Sequence, residues 1–269
     1  MVLNYDKPYE LNEALIILPQ ARKIKMPFKV NFKEPVDLID VVMELENYAN
    51  ILSNLGVNVK LMKCPYERLP NVMFASDNVL SHGGIIYLPA MAGIRKEEPK
   101  WLYRRLENSV LLPEGVNFES SDLLVLDEVL LLGIKNRTST VIIETLMELY
   151  PKREIKFIEV PDGIQHLMGV VRPLGPDRVM VREKLLTQTD IDVLSSCYET
   201  VVKIPETNEI REKLAFNFVP IKENEVIIPD DVPAFEEFLN NFKVKTHKTS
   251  ITNLRKADGG LACATGRLA

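Results

Sequence analysis

Apolar positions along the chain fall into short runs that recur in one order. Leu123–Leu126 and Val129–Leu132 are two such runs joined by Asp127-Glu128, the pattern of a strand pair. Thr138 and Ser139 stand next as N-caps for a helix in which Val141, Ile142, Leu146 and Leu149 keep a helical period, and Pro151 ends it. Ile155–Val160 predicts a further strand. The unit is therefore strand, strand, helix, strand. It recurs upstream, where Val79–Leu80 and Ile85–Leu88 flank Gly83-Gly84, with a helix through Trp101–Leu106 and a strand at Val110–Leu112. Downstream, Gly169–Leu174 and Arg178–Arg182 flank a turn at Gly175-Pro176-Asp177, followed by a helix at Thr189–Tyr198 and a strand at Val201–Ile204. Phe216–Ile221, Glu225–Ile228, the helix Val232–Phe242 and the strand Val244–His247 make another copy.

The two ends supply what remains. The N-terminal part offers a strand (Ala14–Leu18), a long helix (Val36–Leu55, closed by Gly56) and a strand (Val57–Met62), but no first strand. Leu261–Leu268 predicts a strand without a helix. Together they complete one more unit. The expectation is a single α/β domain over residues 1–269, built as a five-bladed pseudo-symmetric α/β propeller. Its units are roughly 45–50 residues long, and pairing of the N- and C-terminal strands closes it. A generic α/β domain is the plainer alternative.

Composition narrows the function. Of 269 residues, 46% are hydrophobic, enough to bury a sizeable core. The net charge is -5 and no block of Lys or Arg stands out, which argues against nucleic acid and anionic membrane as partners. Apolar runs are too short to span a bilayer. Asp6, Lys7, Glu10 and Glu13 occupy the stretch where a signal peptide would be apolar, so a cytoplasmic protein is expected. Cys64, Cys197 and Cys263 are odd in number and far apart, so neither a disulfide framework nor a zinc cluster is expected. A homo-oligomer stays open.

The chemical side chains share one place in the unit, just before or at its first strand. They are Asp77, Glu119 with Asp122, His166, and Cys263 after Gly259-Gly260. Around a ring, equivalent positions would converge on one cleft. A thiol, an imidazole and three carboxylates make a coherent set: a nucleophile, a proton carrier, its orienting partner, and charges that attract a cation. A cationic substrate would also lower the thiol pKa on binding. Guanidinium is the natural electrophilic cation, with donors matched to carboxylate oxygens. Singly, each residue has a plainer reading: Cys263 as buried filler, Glu119 and Asp122 as turn residues, His166 as a structural histidine. His82 and His247 lack such neighbours and read as structural.

Lys256-Ala257-Asp258-Gly259-Gly260-Leu261-Ala262-Cys263 resembles the nucleophile segment of guanidino-group-modifying enzymes: dimethylarginine dimethylaminohydrolases, arginine deiminases and amidinotransferases. Phe74-Ala75-Ser76-Asp77 resembles their Phe-x-x-Asp, and Phe118-Glu119-Ser120-Ser121-Asp122 their Glu-Gly-Gly-Asp. Asn136-Arg137-Thr138-Ser139 resembles their Arg-Thr-Asn, and Gln165-His166-Leu167 their His-Leu. The matches run in family order over nearly the whole chain, and the family fold is the five-bladed pentein propeller. The resemblance implies Cys263 as nucleophile, His166 as proton donor and then base, and Glu119 as partner of His166 and of the guanidinium. It implies Asp77 and Asp122 in substrate binding, and Arg137, with Arg95 second, at the substrate carboxylate. No cofactor and no metal are implied. Ser120-Ser121 replaces the glycine pair, Ser139 an asparagine, and Met168 the aspartate that arginine deiminases carry. The leading expectation is a hydrolase of arginine or an N-substituted arginine, working through a Cys thiouronium and giving citrulline and an amine or ammonia. An amidinotransferase is the alternative, and a non-catalytic ribosome-binding protein of the same fold the third reading.

Overall fold

The computed structural model describes residues 7–91, 93–135 and 137–268, with the exception of the Phe28 side chain. Strand β1 (Glu13–Leu18) is buried from Ala14 onward. A two-stranded ladder of β2 (Lys23–Ile24) and β3 (Val36–Asp37) leads into α1 (Leu38–Asn54). The helix starts two residues later than its hydrophobic pattern because Asp37 caps it, accepting from the Ile39 N–H at 3.0 Å. Leu38, Val41, Leu45, Tyr48, Ala49 and Leu52 form one buried stripe of α1 at helical spacing. Gly56, at φ +89, turns the chain into β4 (Asn58–Lys63), which runs parallel to β1.

The same order then repeats. β5 (Leu80–His82) and β6 (Ile85–Leu88) are antiparallel, and β7 (Ser109–Leu111) lies parallel to β6 after α2 (Glu98–Tyr103). The next copy comprises β8 (Leu123–Val125), β9 (Val129–Ile134), α3 (Ile142–Leu149) and β10 (Glu154–Glu159). After it come β11 (Val171–Pro173), β12 (Arg178–Val181), α4 (Gln188–Ser195) and β13 (Thr200–Lys203). The short α5 (Asn208–Arg211) precedes β14 (Val219–Lys222), β15 (Glu225–Pro229), α6 (Pro233–Asn241) and β16 (Lys245–Thr249). Finally α7 (Thr252–Lys256) and α8 (Leu261–Ala264) lead to β17 (Gly266–Arg267), antiparallel to β1.

Every unit thus has an antiparallel pair and then a parallel one, the latter needing the helical crossover that each supplies. The fifth sheet, β17-β1-β4, draws its strands from both chain ends, as the sequence pattern requires. Ala14 pairs with Arg267 and Leu15 with Gly266. Among the described residues the five sheets are separate, each of three strands, and none closes on itself. The third strands are half exposed, and Lys63, Lys156, Lys203 and Lys245 on four of them discourage edge pairing. Among the described residues no helix is long and apolar enough to cross a membrane.

Helix α2 lies three residues earlier than its pattern, and two further elements differ for a tertiary reason. Thr138 does not cap α3, which starts at Ile142 without a side-chain cap, because its hydroxyl donates to Asp122 Oδ2 at 2.6 Å. Leu261–Leu268 is not a continuous strand. Residues Leu261–Ala264 turn into a short helix because Asn217 Oδ1 accepts from the Ala262 N–H at 2.8 Å and the Cys263 N–H at 3.3 Å. Only Gly266–Arg267 remains extended.

Candidate active site

The turns ahead of the first strands pack on one another. Helix α8 rests on the turn Ala75–Asn78, that turn on Ser120–Asp122, and this in turn on Leu167–Gly169. Positions far apart in sequence are therefore adjacent in space, and the side chains of Asp77, Glu119, His166 and Cys263 meet.

His166 Nε2 forms a very short hydrogen bond with Glu119 Oε2 and lies 3.8 Å from Asp77 Oδ1. Burial pulls the imidazole pKa down, but the Asp77 charge, the Glu119 hydrogen bond and Asp122 together raise it above its ordinary value. Asp77 accepts from Ser121 Oγ at 2.5 Å and from Arg95 Nη1 at 2.7 Å. Burial raises its pKa, and His166 and Arg95 outweigh that and hold it below the usual range. Ser121, at one of the two serines that replace a glycine pair, thus binds the site carboxylate directly. Arg137 donates to Glu119 Oε2 at 3.1 Å. Asp77, Glu119 and His166 offer ligand atoms within 4.8 Å of one another, as a metal site would, but two guanidinium groups already share these carboxylates.

Cys263 is half-buried on α8. It lines a cavity of about 330 Å³ together with His166, Asn217, Ser76, Ser121 and Met168. A narrower recess of about 30 Å³ joins Cys263 to Asp77, Arg95, Arg137, Asn71 and Asp258. Burial first, and then Asp77, push the thiol pKa up; the Gly260 backbone, Asn217 and Arg172 oppose this. Asn217 Nδ2 donates to the Cys263 sulfur at 3.1 Å. The glycine pair before the thiol is fixed by packing. A Cβ on Gly259 would come 2.1 Å from Phe74 Cε1, and one on Gly260 2.7 Å from Asn217 Oδ1.

Other side chains have different surroundings from those expected. Asp122 turns away from the cavities: its oxygens accept from the Leu167 N–H at 2.9 Å and from Thr138 Oγ1 at 2.6 Å. Burial raises its pKa to about 6. Its carboxylate therefore braces the His166 segment rather than facing substrate. Arg95 lines the recess but is buried and doubly paired, with Glu98 at 2.8 Å and Asp77 at 2.7 Å. Glu98, only 1% exposed, is itself held by Asn78 Nδ2 at 3.0 Å. Asn136 lies outside the described residues. His247 pairs with Glu225 at 2.6 Å, and neither lines these cavities. Asn217 and Asp258 went unread in the sequence. Asn217 does precede the first strand of its unit, as Asp77 and His166 do, and that was the available signal. Asp258 receives Gln165 Nε2 at 2.8 Å.

The sequence matches, over residues 26–265, the family described as N,N dimethylarginine dimethylhydrolase, eukaryotic. No curated protein matches it. Among solved structures, the dimethylarginine dimethylaminohydrolase of Pseudomonas aeruginosa complexed with citrulline aligns with a TM-score of 0.75 at 16% identity, over 96% of this chain and 100% of that one. The product-bound N-terminal domain of ArgZ, an arginine dihydrolase of the ornithine-ammonia cycle in cyanobacteria, gives 0.80 at 18% identity, over 97% and 98%. SxtG, an amidinotransferase of the saxitoxin pathway from Microseira wollei, gives 0.79 at 17% identity, over 97% and 94%. At such identities the shared property is the α/β pentein fold, which hosts both hydrolases and transferases.

Proposed function

The chain belongs to the N,N dimethylarginine dimethylhydrolase family in its eukaryotic form, and from that footing we propose that it hydrolyses a guanidino C–N bond with Cys263 as nucleophile. The substrate is arginine or an N-substituted arginine. The observation that carries this is internal: the carboxylates around His166 already hold a guanidinium. Arg95 Nη1 lies 2.7 Å from Asp77 Oδ2 and 3.9 Å from Glu119 Oε2, in the recess that Cys263 also lines. A substrate guanidinium would take these oxygens in exchange, with its carbon facing the sulfur.

The cation would lower the thiol pKa, and the thiolate would add to the guanidinium carbon. His166, whose protonated form Asp77 and Glu119 favour, would pass its proton to the leaving nitrogen as the C–N bond breaks and the thiouronium forms. The neutral imidazole would then take a proton from water as its oxygen adds to the same carbon. Collapse would expel the thiolate and leave a ureido group, citrulline from arginine. Asn217 would hold the sulfur and Asp122 the imidazole segment. Arg95 would keep Glu98 as its counter-charge when Asp77 turns to the substrate, so the substrate carboxylate falls to Arg137, and Asp258 across the recess suits the ammonium. The five units would stand about one axis as a pentein propeller.

The test is turnover of arginine, its methylated forms and agmatine by the wild type and by Cys263→Ser, with and without an acceptor amine. Ureido product without acceptor supports the hydrolase. Product only with acceptor makes it an amidinotransferase, which the same thiouronium would serve. No turnover and no adduct on Cys263 with any guanidine overturns the enzyme reading and leaves the non-catalytic one.

A further inference from the structure

Beyond the turns that carry the site, the first strands of all five units line a second cavity, of about 100 Å³. Leu80, Leu123, Pro173, Val219 and Arg267 come from β5, β8, β11, β14 and β17 in turn. Its walls are mostly apolar, yet two arginines are among the residues that line it. Arg172 is 3% exposed. Its Nη2 donates to the Phe218 carbonyl, its guanidinium carbon lies 5.4 Å from the Phe218 ring centroid, and its buried Nε has no partner. Arg267 donates to the carbonyls of Lys7 and Glu10, which are neutral acceptors. Among the described residues neither arginine makes an ion pair. The carboxylate at the rim, Glu10, is taken by Lys7 at 2.9 Å. Ser120, whose buried Oγ has no partner, also lines this space.

A buried cation without a counter-charge is costly, and the cost falls when an anion joins it. Burial pulls both arginines down to about 10, which still leaves them charged at neutral pH. A cavity of this size holds an anion with one or two waters, each taking roughly 30 Å³. Apolar walls and three donors suit a weakly hydrated monovalent ion better than a phosphate, which needs more hydrogen bonds. We infer that this cavity is a binding site for a monovalent inorganic anion of halide size, held by Arg172, Arg267 and the Ser120 hydroxyl. Ser76 and Met168 also line the Cys263 cavity, and Arg172 acts on that thiol, but the inference does not rest on the guanidino chemistry and stands whether or not that reading holds.

Bromide is the probe, with gluconate, too large to enter, as the control at equal ionic strength. Bromide should raise the thermal unfolding midpoint saturably, by roughly 2–3 °C at ten times its dissociation constant. Crystals of the full chain grown in sodium bromide should show an anomalous peak beside the Arg172 guanidinium. Arg172→Met should lose the bromide-specific shift. Only water in the cavity, a peak without a saturable shift, or an unchanged shift in Arg172→Met would overturn the inference. Should that variant fail to fold, the wild-type diffraction and titration decide between the same outcomes.

Discussion

The Cys263 thiol sits where burial and the Asp77 carboxylate both push its pKa above the ordinary value, so the thiolate is scarce until a cation arrives. Alkylation of Cys263 by iodoacetamide, followed by mass spectrometry, should therefore be slow at pH 7 and quicken above pH 9. Asp77→Asn removes the negative neighbour and lowers the thiol pKa. Its alkylation at pH 8 should be about threefold to tenfold faster, while turnover is lost with the guanidinium contact. A slower alkylation in that variant would contradict the assigned electrostatics. Asp122 makes a different prediction. Asp122→Ala strands the Leu167 N–H and Thr138 hydroxyl, costing about 2–4 kcal/mol in chemical denaturation. Its kcat should fall with KM little changed, since the carboxylate braces His166 and does not meet substrate. A raised KM with unaltered kcat would return Asp122 to the binding surface.

Helix α8 shows what periodicity cannot reveal. Its residues are apolar and short in extent, a pattern that serves strand and helix alike. The choice is made by Asn217, which holds two of its N–H groups from a turn 45 and 46 residues away. Thr138 fails as an N-cap for the same reason in reverse: Asp122 claims it. By contrast, the strand, strand, helix, strand order of each unit was legible, because strand runs and helical stripes are local. The convergence of Asp77, Glu119, His166 and Cys263 was also legible, through their common place ahead of the first strands. The surroundings of Arg95 were not, since its i, i+3 spacing to Glu98 does not reveal that the pair is buried against Asp77, 18 residues away. Gly260→Ala tests the α8 arrangement. The new methyl would meet Asn217 Oδ1, so stability should drop by about 1–3 kcal/mol. Activity should fall by more than tenfold as the sulfur loses its donor. Undiminished activity would show that Asn217 does not position the thiol.

At the scale of the molecule, the pairing of β17 with β1 makes the order of the units interchangeable. A circular permutant that links the ends and opens between Glu114 and Gly115, where Glu114 is almost fully solvent-exposed, should fold and keep its turnover. An insoluble or inactive permutant would mean that the native ends do more than join. The same pairing also sets a sequence in time. Ala14 finds Arg267 across nearly the entire chain, and contacts of that range form slowly because so much loop entropy is surrendered first. Cys263, the proposed nucleophile, lies three residues before that strand. Other units can assemble while the thiol is still unplaced, so the chemistry proposed for Cys263 would be withheld from a half-folded chain. In a refolding experiment, labelling of Cys263 by a guanidine-like electrophile should lag behind the return of secondary structure. The chain would arm itself only once its two ends have met.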